Sequence, residues 1–172
     1  MRQKVHLTLT GRQKDEAGEI TLTEHSGDGE YFEKNDCVYL LYEERPDGTD
    51  TIVKNTLKLK PSVLELTRRG GINTRMVFAP GKEYLTDYAT PFGCLKMGIS
   101  TRSLDVSRED CALRIRIAYS LTSYGQPVSD CSLDIAVCFC HETPQSANYR
   151  NRFANPVTKK SHQLYADRQD LH

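Results

Sequence analysis

The chain has 172 residues, a length that suits one domain able to bury a core without disulfides or metals. Lys and Arg total 23, Asp and Glu total 23, and 38% of residues are hydrophobic, so no global basic field exists to gather nucleic acid. No apolar run approaches the roughly 18 residues of a membrane helix, and no apolar stretch follows the basic N-terminal residues as a secretory leader would require, so a cytoplasmic protein is expected.

Strand signals dominate from the start. Val5, Leu7 and Leu9 alternate with His6, Thr8 and Thr10 up to Gly11, the pattern of a half-buried strand. Gln13 to Gly18 reads as a polar turn. Glu19 to Glu24 alternates again, with Ile20 and Leu22 on one face. Gly27-Asp28-Gly29 predicts a bend or bulge, after which Tyr31-Phe32 resumes the strand. Lys34-Asn35-Asp36 is a tight turn leading into the strand Cys37 to Glu44. Pro46-Asp47-Gly48 turns into the β-branched run Thr51 to Leu59, because proline presets φ and glycine accepts a positive φ.

Lys60-Pro61-Ser62 leads to Val63 to Arg69. Gly70-Gly71 then joins that run to Arg75 to Phe78, with Arg68 and Arg75 at the joins. Pro80-Gly81 turns into Glu83 to Thr90, which ends at Pro91-Phe92-Gly93. Three clear strands follow. Leu95, Met97 and Ile99 share a face in Cys94 to Thr101. Leu113, Ile115, Ile117 and Tyr119 point one way in Cys111 to Ser120. Leu133, Ile135, Val137 and Phe139 face inward in Val128 to Cys140, after a hairpin at Tyr124-Gly125-Gln126.

Roughly ten short strands with turns between them, and no intervening helical repeat, predict an all-β fold. Sequential antiparallel strands favour an up-and-down barrel of about 8–10 strands, which hides its edges. Beyond Cys140 the chain turns polar, and Pro144 and Pro156 interrupt any long helix. The expected organisation is a barrel domain over 1–140 and a polar C-terminal tail over 141–172, disordered or packed on the barrel, with room for one short helix over Ser161 to Asp170.

Several motifs, in this order, resemble the YwiB-like family of uncharacterised bacterial β-barrels. They are Gly29-Glu30-Tyr31, Tyr39-Leu40-Leu41-Tyr42-Glu43-Glu44, Leu66-Thr67-Arg68, Asn73-Thr74-Arg75-Met76-Val77-Phe78, Tyr88-Ala89-Thr90-Pro91-Phe92-Gly93 and Thr101. The chain departs from the family's pattern at Arg69 and Gly71, where residues such as serine and alanine are expected. The resemblance implies a lipocalin-like (calycin) barrel and brings no settled activity with it.

The chemistry-bearing residues each admit a plain reading. Arg68 and Arg75 offer planar forks suited to a carboxylate or phosphate, and equally tie strand ends to internal carboxylates. Tyr31, Tyr39, Tyr42, Tyr84 and Tyr88 could give a pocket apolar walls with polar handles, or pack for strand propensity alone. Glu43 and Glu44 point to opposite faces, so they cannot act as an acid/base pair. If Glu43 faces inward it needs a cationic partner, and Arg68 or Arg75 is the candidate. Cys138-Phe139-Cys140-His141 resembles half of a zinc site, but no second half exists in the sequence. There is no GxSxG elbow and no phosphate-cradling glycine loop. Arg102, Arg114 and Arg116 form a basic stripe that Asp105, Glu109, Asp110 and Asp134 can neutralise.

The expectation is therefore a non-enzymatic binding module whose barrel holds a small anionic, partly apolar ligand. Its expected ligand-binding residues are Arg68, Arg75, Tyr39, Glu43, Tyr88 and Thr90. No catalytic residue, cofactor or metal is expected, nor a membrane or nucleic-acid partner, and a homodimer is left open. The alternative is a fully packed barrel whose surface binds a protein or RNA, with an enzyme of unrecognised type third. An internal cavity of at least roughly 300 Å³ separates the first reading from the second.

Overall fold

A computed structural model describes residues 2–46 and 48–139, apart from the Thr90 side chain. The expected tail over 141–172, the short helix within it, Asp47 of the first proline turn, and the Cys140-His141 half of the cysteine motif lie outside the described residues.

Alternation builds ten strands: β1 (Gln3–Asp15), β2 (Ile20–Lys34), β3 (Cys37–Glu44), β4 (Val53–Lys60), β5 (Val63–Arg69), β6 (Thr74–Phe78), β7 (Glu83–Thr90), β8 (Gly93–Glu109), β9 (Ala112–Ser123) and β10 (Gln126–Cys138). All pair antiparallel in one sheet of order β6-β5-β4-β3-β2-β1-β10-β9-β8-β7. Every neighbour is also a sequence neighbour except β1 and β10, whose ladder runs from His6 opposite Cys138 to Asp15 opposite Ser129. That ladder brings the end strands β6 and β7 together, and the fold is a nearly closed all-β barrel. Among the described residues no helix is long and apolar enough to cross a membrane.

Three elements differ from the sequence reading. β1 continues through Gln13 to Asp15, paired with Cys131 to Ser129 of β10, where a polar turn was expected. β2 runs unbroken through Gly27-Asp28-Gly29, in register with Leu7, His6 and Val5 of β1. Here the glycines keep an extended backbone and make room rather than bend the chain. A Cβ on Gly29 would lie 2.3 Å from Leu7 Cδ1 and 2.7 Å from the Leu41 carbonyl oxygen. β8 continues past Thr101 to Glu109 through a register shift between Thr101 and Ser103. Its second half, Arg102 to Glu109, lacks a clean apolar alternation and so escaped the period-2 test.

The interior is filled from every strand except β7. Leu7, Leu40, Leu57, Leu64, Phe78, Ile99, Ile115 and Ile135 are almost wholly buried. Each contributes roughly 1.5–3 kcal/mol of apolar burial. One end of the barrel is covered. Arg108 of β8 reaches over to β2, donating to the Tyr31 hydroxyl at 2.7 Å and to Glu33 at 2.9 Å, while Tyr31 hydrogen-bonds Glu33. The Phe139 ring meets Tyr31 edge-on at 4.8 Å beneath that cluster.

The join between β6 and β7 is sparse. Asn73 and Ala89 form an isolated bridge at one end of the seam. Gly81 donates to the Thr101 carbonyl at 3.0 Å and Thr101 to that of Lys82 at 3.3 Å, which ties the turn between β6 and β7 to β8 and not β6 to β7. Along the seam itself the Thr86 hydroxyl donates to the Arg75 carbonyl at 2.5 Å, a side chain standing in for a ladder bond.

Candidate functional site

Toward the end opposite the Arg108 cluster, the inward positions change character. On β1 the series Val5, Leu7, Leu9 gives way to Gly11 and Gln13. On β2 their inward partners are Gly27, His25 and Thr23, by register with Leu7, Leu9 and Gly11. Small and polar residues replace leucine-sized ones, and the barrel is hollow there. The cavity has a volume of about 490 Å³ and is walled by residues including Leu66, Met76, Phe78, Tyr88, Tyr119 and Leu133. A packed barrel would leave no such space, whereas small-molecule sites occupy roughly 300–1,000 Å³.

Arg68 sits on this cavity with its side chain 25% exposed. Its Nη2 donates to Glu44 Oε2 at 3.0 Å and its Nε to Asn55 Oδ1 at 3.2 Å. Asn55 is buried and donates from Nδ2 to the same Glu44 oxygen at 3.1 Å and to the Val53 carbonyl at 3.4 Å. The three side chains come from β3, β4 and β5 and lie side by side because Asn55 is opposite Tyr42 in one ladder and opposite Arg68 in the next. Arg68 Nη1 has no hydrogen bond to any described residue, so this guanidinium is oriented by two strands and still holds free donor capacity.

Tyr42 and His25 stand beside this group. Their rings lie 5.3 Å apart and tilted by 32°. Burial pushes the Tyr42 phenol well above its usual value, the neighbouring Glu44 charge adds to that, and Arg68 opposes it. His25 Nε2 is enclosed and has no partner among the described residues. Tyr119, deeper in, is likewise held protonated by burial, with Cys131 beside it.

The face assignment of β3 is the main correction. Tyr39 and Glu43 were expected at the site, but the inward residues are Leu40, Tyr42 and Glu44. Tyr39 stacks flat on Phe32 at 4.7 Å on the outer surface, with Lys58 Nζ 5.5 Å over its ring. Glu43 is exposed opposite Lys54. A strand with apolar or aromatic residues at consecutive positions, as in Val38-Tyr39-Leu40-Leu41-Tyr42, does not declare its face by pattern. One residue of phase moves every side chain across the sheet.

Arg75 also lies outside: it is 61% exposed and pairs with Glu65 at 3.1 Å. Tyr88 does line the cavity. Thr90 closes β7, and its side chain is outside the described residues. The sequence reading names Tyr42 only among the strand tyrosines that could wall a pocket, and it misses Glu44, Asn55 and His25 as site residues. Asn55 was the legible one, an amide at an inward position of an otherwise apolar strand, where it demands polar partners.

The basic stripe is paired with carboxylates, Asp134 among the expected ones and Asp130 in addition to them. Arg114 pairs with Asp134 at 2.6 Å, Arg116 with the same carboxylate at 3.7 Å, and Arg102 with Asp130 at 3.0 Å. Among the described residues no cluster of three or more His, Cys, Asp or Glu could hold a metal ion.

Fold and cavity together define a ten-stranded antiparallel barrel, covered at one end and hollow toward the other. The chain belongs to the family described as a domain of unknown function (DUF1934), whose model matches residues 7–135. It is similar to the "Uncharacterized beta-barrel protein YwiB" of Bacillus subtilis (strain 168), with 28% identity over 122 residues, covering 70% of this chain and 84% of that protein. A solved structure titled "Crystal structure of ywiB protein from Bacillus subtilis" superposes with a TM-score of 0.67 at 24% identity, covering 78% of this chain and 91% of that one. That likeness speaks for the fold.

Proposed function

We propose that the protein is a non-enzymatic binder of a small anionic, partly apolar molecule held in the barrel cavity. The observation that carries this reading is a cavity of about 490 Å³ with Arg68 on its wall. The guanidinium is fixed by Glu44 and Asn55 yet keeps Nη1 for a ligand. Leucine, methionine and aromatic walls supply apolar burial, and the Tyr42 hydroxyl and His25 Nε2 add polar handles. Glu44 pairs with Arg68 at 3.0 Å, so the guanidinium is not an unpaired buried charge. An incoming carboxylate or phosphate takes up the remaining donors. The five described cysteines are free thiols, which suits a reducing cytoplasmic setting.

Native mass spectrometry of protein isolated from its own cells tests this reading. The expected spectrum contains a low-mass adduct that is displaced on unfolding. Arg68→Met lowers its occupancy by about ten-fold or more, in line with the loss of a charge-assisted hydrogen bond. An adduct retained at full occupancy in Arg68→Met removes Arg68 from the site. Bare protein in every preparation returns the barrel to a purely structural role.

A further inference from the structure

A second hollow adjoins the first. It has a volume of about 290 Å³ and lies under β7 and β8, lined by Met97, Ile99, Leu95, Leu121, Thr86 and Tyr88. Its surface is almost wholly apolar. Of the polar side chains on its wall, the Thr86 hydroxyl is bonded to the Arg75 carbonyl and the Gln13 amide to the Ser129 hydroxyl, while Tyr88 stands where this hollow meets the first. Gln13, Met76 and Tyr88 line both hollows, so the two meet along those three side chains. One chamber therefore carries the oriented guanidinium, and the other carries hydrocarbon walls and no charged group.

The second chamber exists because the barrel wall is incomplete beside it. β6 and β7 share a single backbone bridge, and β7 contributes no residue to the buried core. Around it Leu85 is 83% exposed, Leu95 50% and Phe92 101%. Leu95 carries the apolar lining of the chamber out to solvent.

We infer that the two chambers form one bipartite site for an amphiphile, a carboxylate head at Arg68 joined to an unbranched alkyl arm that lies under β7 and β8. This rests on the reading of the first chamber as a ligand site and adds the chemical class and placement of the ligand. The arm is what a chamber of mostly aliphatic walls selects, since a polar substituent carried in among Leu95, Met97, Ile99 and Leu121 loses water and finds no partner there. A short anion uses Arg68 alone and leaves the second chamber unused.

The test is a chain-length series of probes, butyrate, hexanoate, octanoate and decanoate, titrated into the full chain and followed by two-dimensional NMR. Butyrate is expected to shift signals around Arg68 and Tyr42 weakly. Affinity is expected to climb by about ten-fold for each added pair of methylenes, with the shifts spreading to Ile99 and Leu121. Leu121→Trp fills the chamber and is expected to abolish the chain-length dependence while leaving butyrate unchanged. Met97→Phe does the same from a neighbouring strand should the tryptophan variant fail to fold. Equal affinity from butyrate to decanoate, or a steep series that survives both substitutions, overturns the bipartite site and leaves the Arg68 reading standing. If no carboxylate of any length perturbs Arg68 or Tyr42, the first chamber is not an anion site and both readings fall.

Discussion

Asn73 and Ala89 exchange both of their backbone hydrogen bonds, at 3.0 and 3.1 Å, and hold the open seam of the barrel at one end. The Asn73 side chain does further work, since its Oδ1 accepts the Gly70 N–H at 3.3 Å. Gly70 itself is required, with φ at 118° and a Cβ position 2.2 Å from the Ile52 carbonyl oxygen. A side chain there would collide with backbone that cannot yield. The β5–β6 turn is thus shaped by glycine so that Asn73 can reach β7.

That arrangement makes β7 the first strand to open. With one bridge to β6, its amides facing the seam are expected to exchange with deuterium well before those of the β1–β10 ladder. Ala89→Pro deletes the donor to Asn73 and is expected to speed exchange across Tyr84 to Tyr88 while leaving Leu7 and Ile135 protected. Uniform exchange across the whole barrel in both proteins would contradict a locally weak seam.

Arg68, Glu44 and Asn55 should behave as one unit. Their side chains are 25% and 22% exposed for the ion pair, and Asn55 is buried. Arg68→Met leaves Glu44 and Asn55 short of a partner and is expected to cost about 1–3 kcal/mol in chemical denaturation. Glu44→Gln on that background should then be nearly neutral, a coupling that a double-mutant cycle measures directly. Arg75→Ala offers the contrast, because Arg75 is 61% exposed and Lys60 still pairs with Glu65 at 2.9 Å without it, and less than about 1 kcal/mol is expected there.

Gly29 separates two readings of β2. Had the Gly27-Asp28-Gly29 segment been a bend, alanine would be tolerated. In an unbroken strand pressed against Leu7 and the Leu41 carbonyl, Gly29→Ala forces a shift of backbone as well as side chain. A loss of about 1–3 kcal/mol is expected from such overpacking. Gly18→Ala tests something else, since nothing lies within 4 Å of its Cβ position and the cost there comes from a φ of 84°.

How far the residues announced this structure depends on the strand. In β9 and β10 strict alternation of Leu113, Ile115, Ile117 and of Leu133, Ile135, Val137 marked both the strands and their inward faces. The turns at Asn35-Asp36 and Tyr124-Gly125 adopt the positive φ values that two-residue hairpins need, at residue types that accept them except for Tyr124, which holds a φ of 49° against its bulk. β3 was legible as a strand and illegible as to face, because tyrosine and leucine occupy consecutive positions and a tyrosine suits either side. The Arg68 and Arg75 pair shows the same limit. Both flank a glycine turn, and only three-dimensional register sends one to Glu44 inside and the other to Glu65 outside. The cavity was hinted at by Gly11, His25 and Gly27, small or polar residues at inward positions. Seeing it required knowing that those positions face one another across β1 and β2.

Stability should fall at alkaline pH because of the interior tyrosines. Burial raises the Tyr42 and Tyr119 phenols above their usual value of 10.0, with Glu44 adding to the shift at Tyr42 and Cys131 at Tyr119. In the unfolded chain both ionise near 10, while the folded chain keeps them neutral. The contribution is therefore complete below pH 10 and drains away as pH climbs from there toward the folded values. Each tyrosine is expected to remove about 1.4 kcal/mol per pH unit above 10. Denaturant midpoints of the wild type and Tyr42→Phe, compared at pH 9 and pH 11, isolate one of them. The phenylalanine variant should lose less stability over that interval by about the same 1.4 kcal/mol, since Cys131 and Tyr119 act equally in both proteins. Parallel losses in the two proteins would mean that Tyr42 titrates as an exposed phenol and that water fills the space beside it, which removes the dry wall on which the polar handle at Arg68 depends.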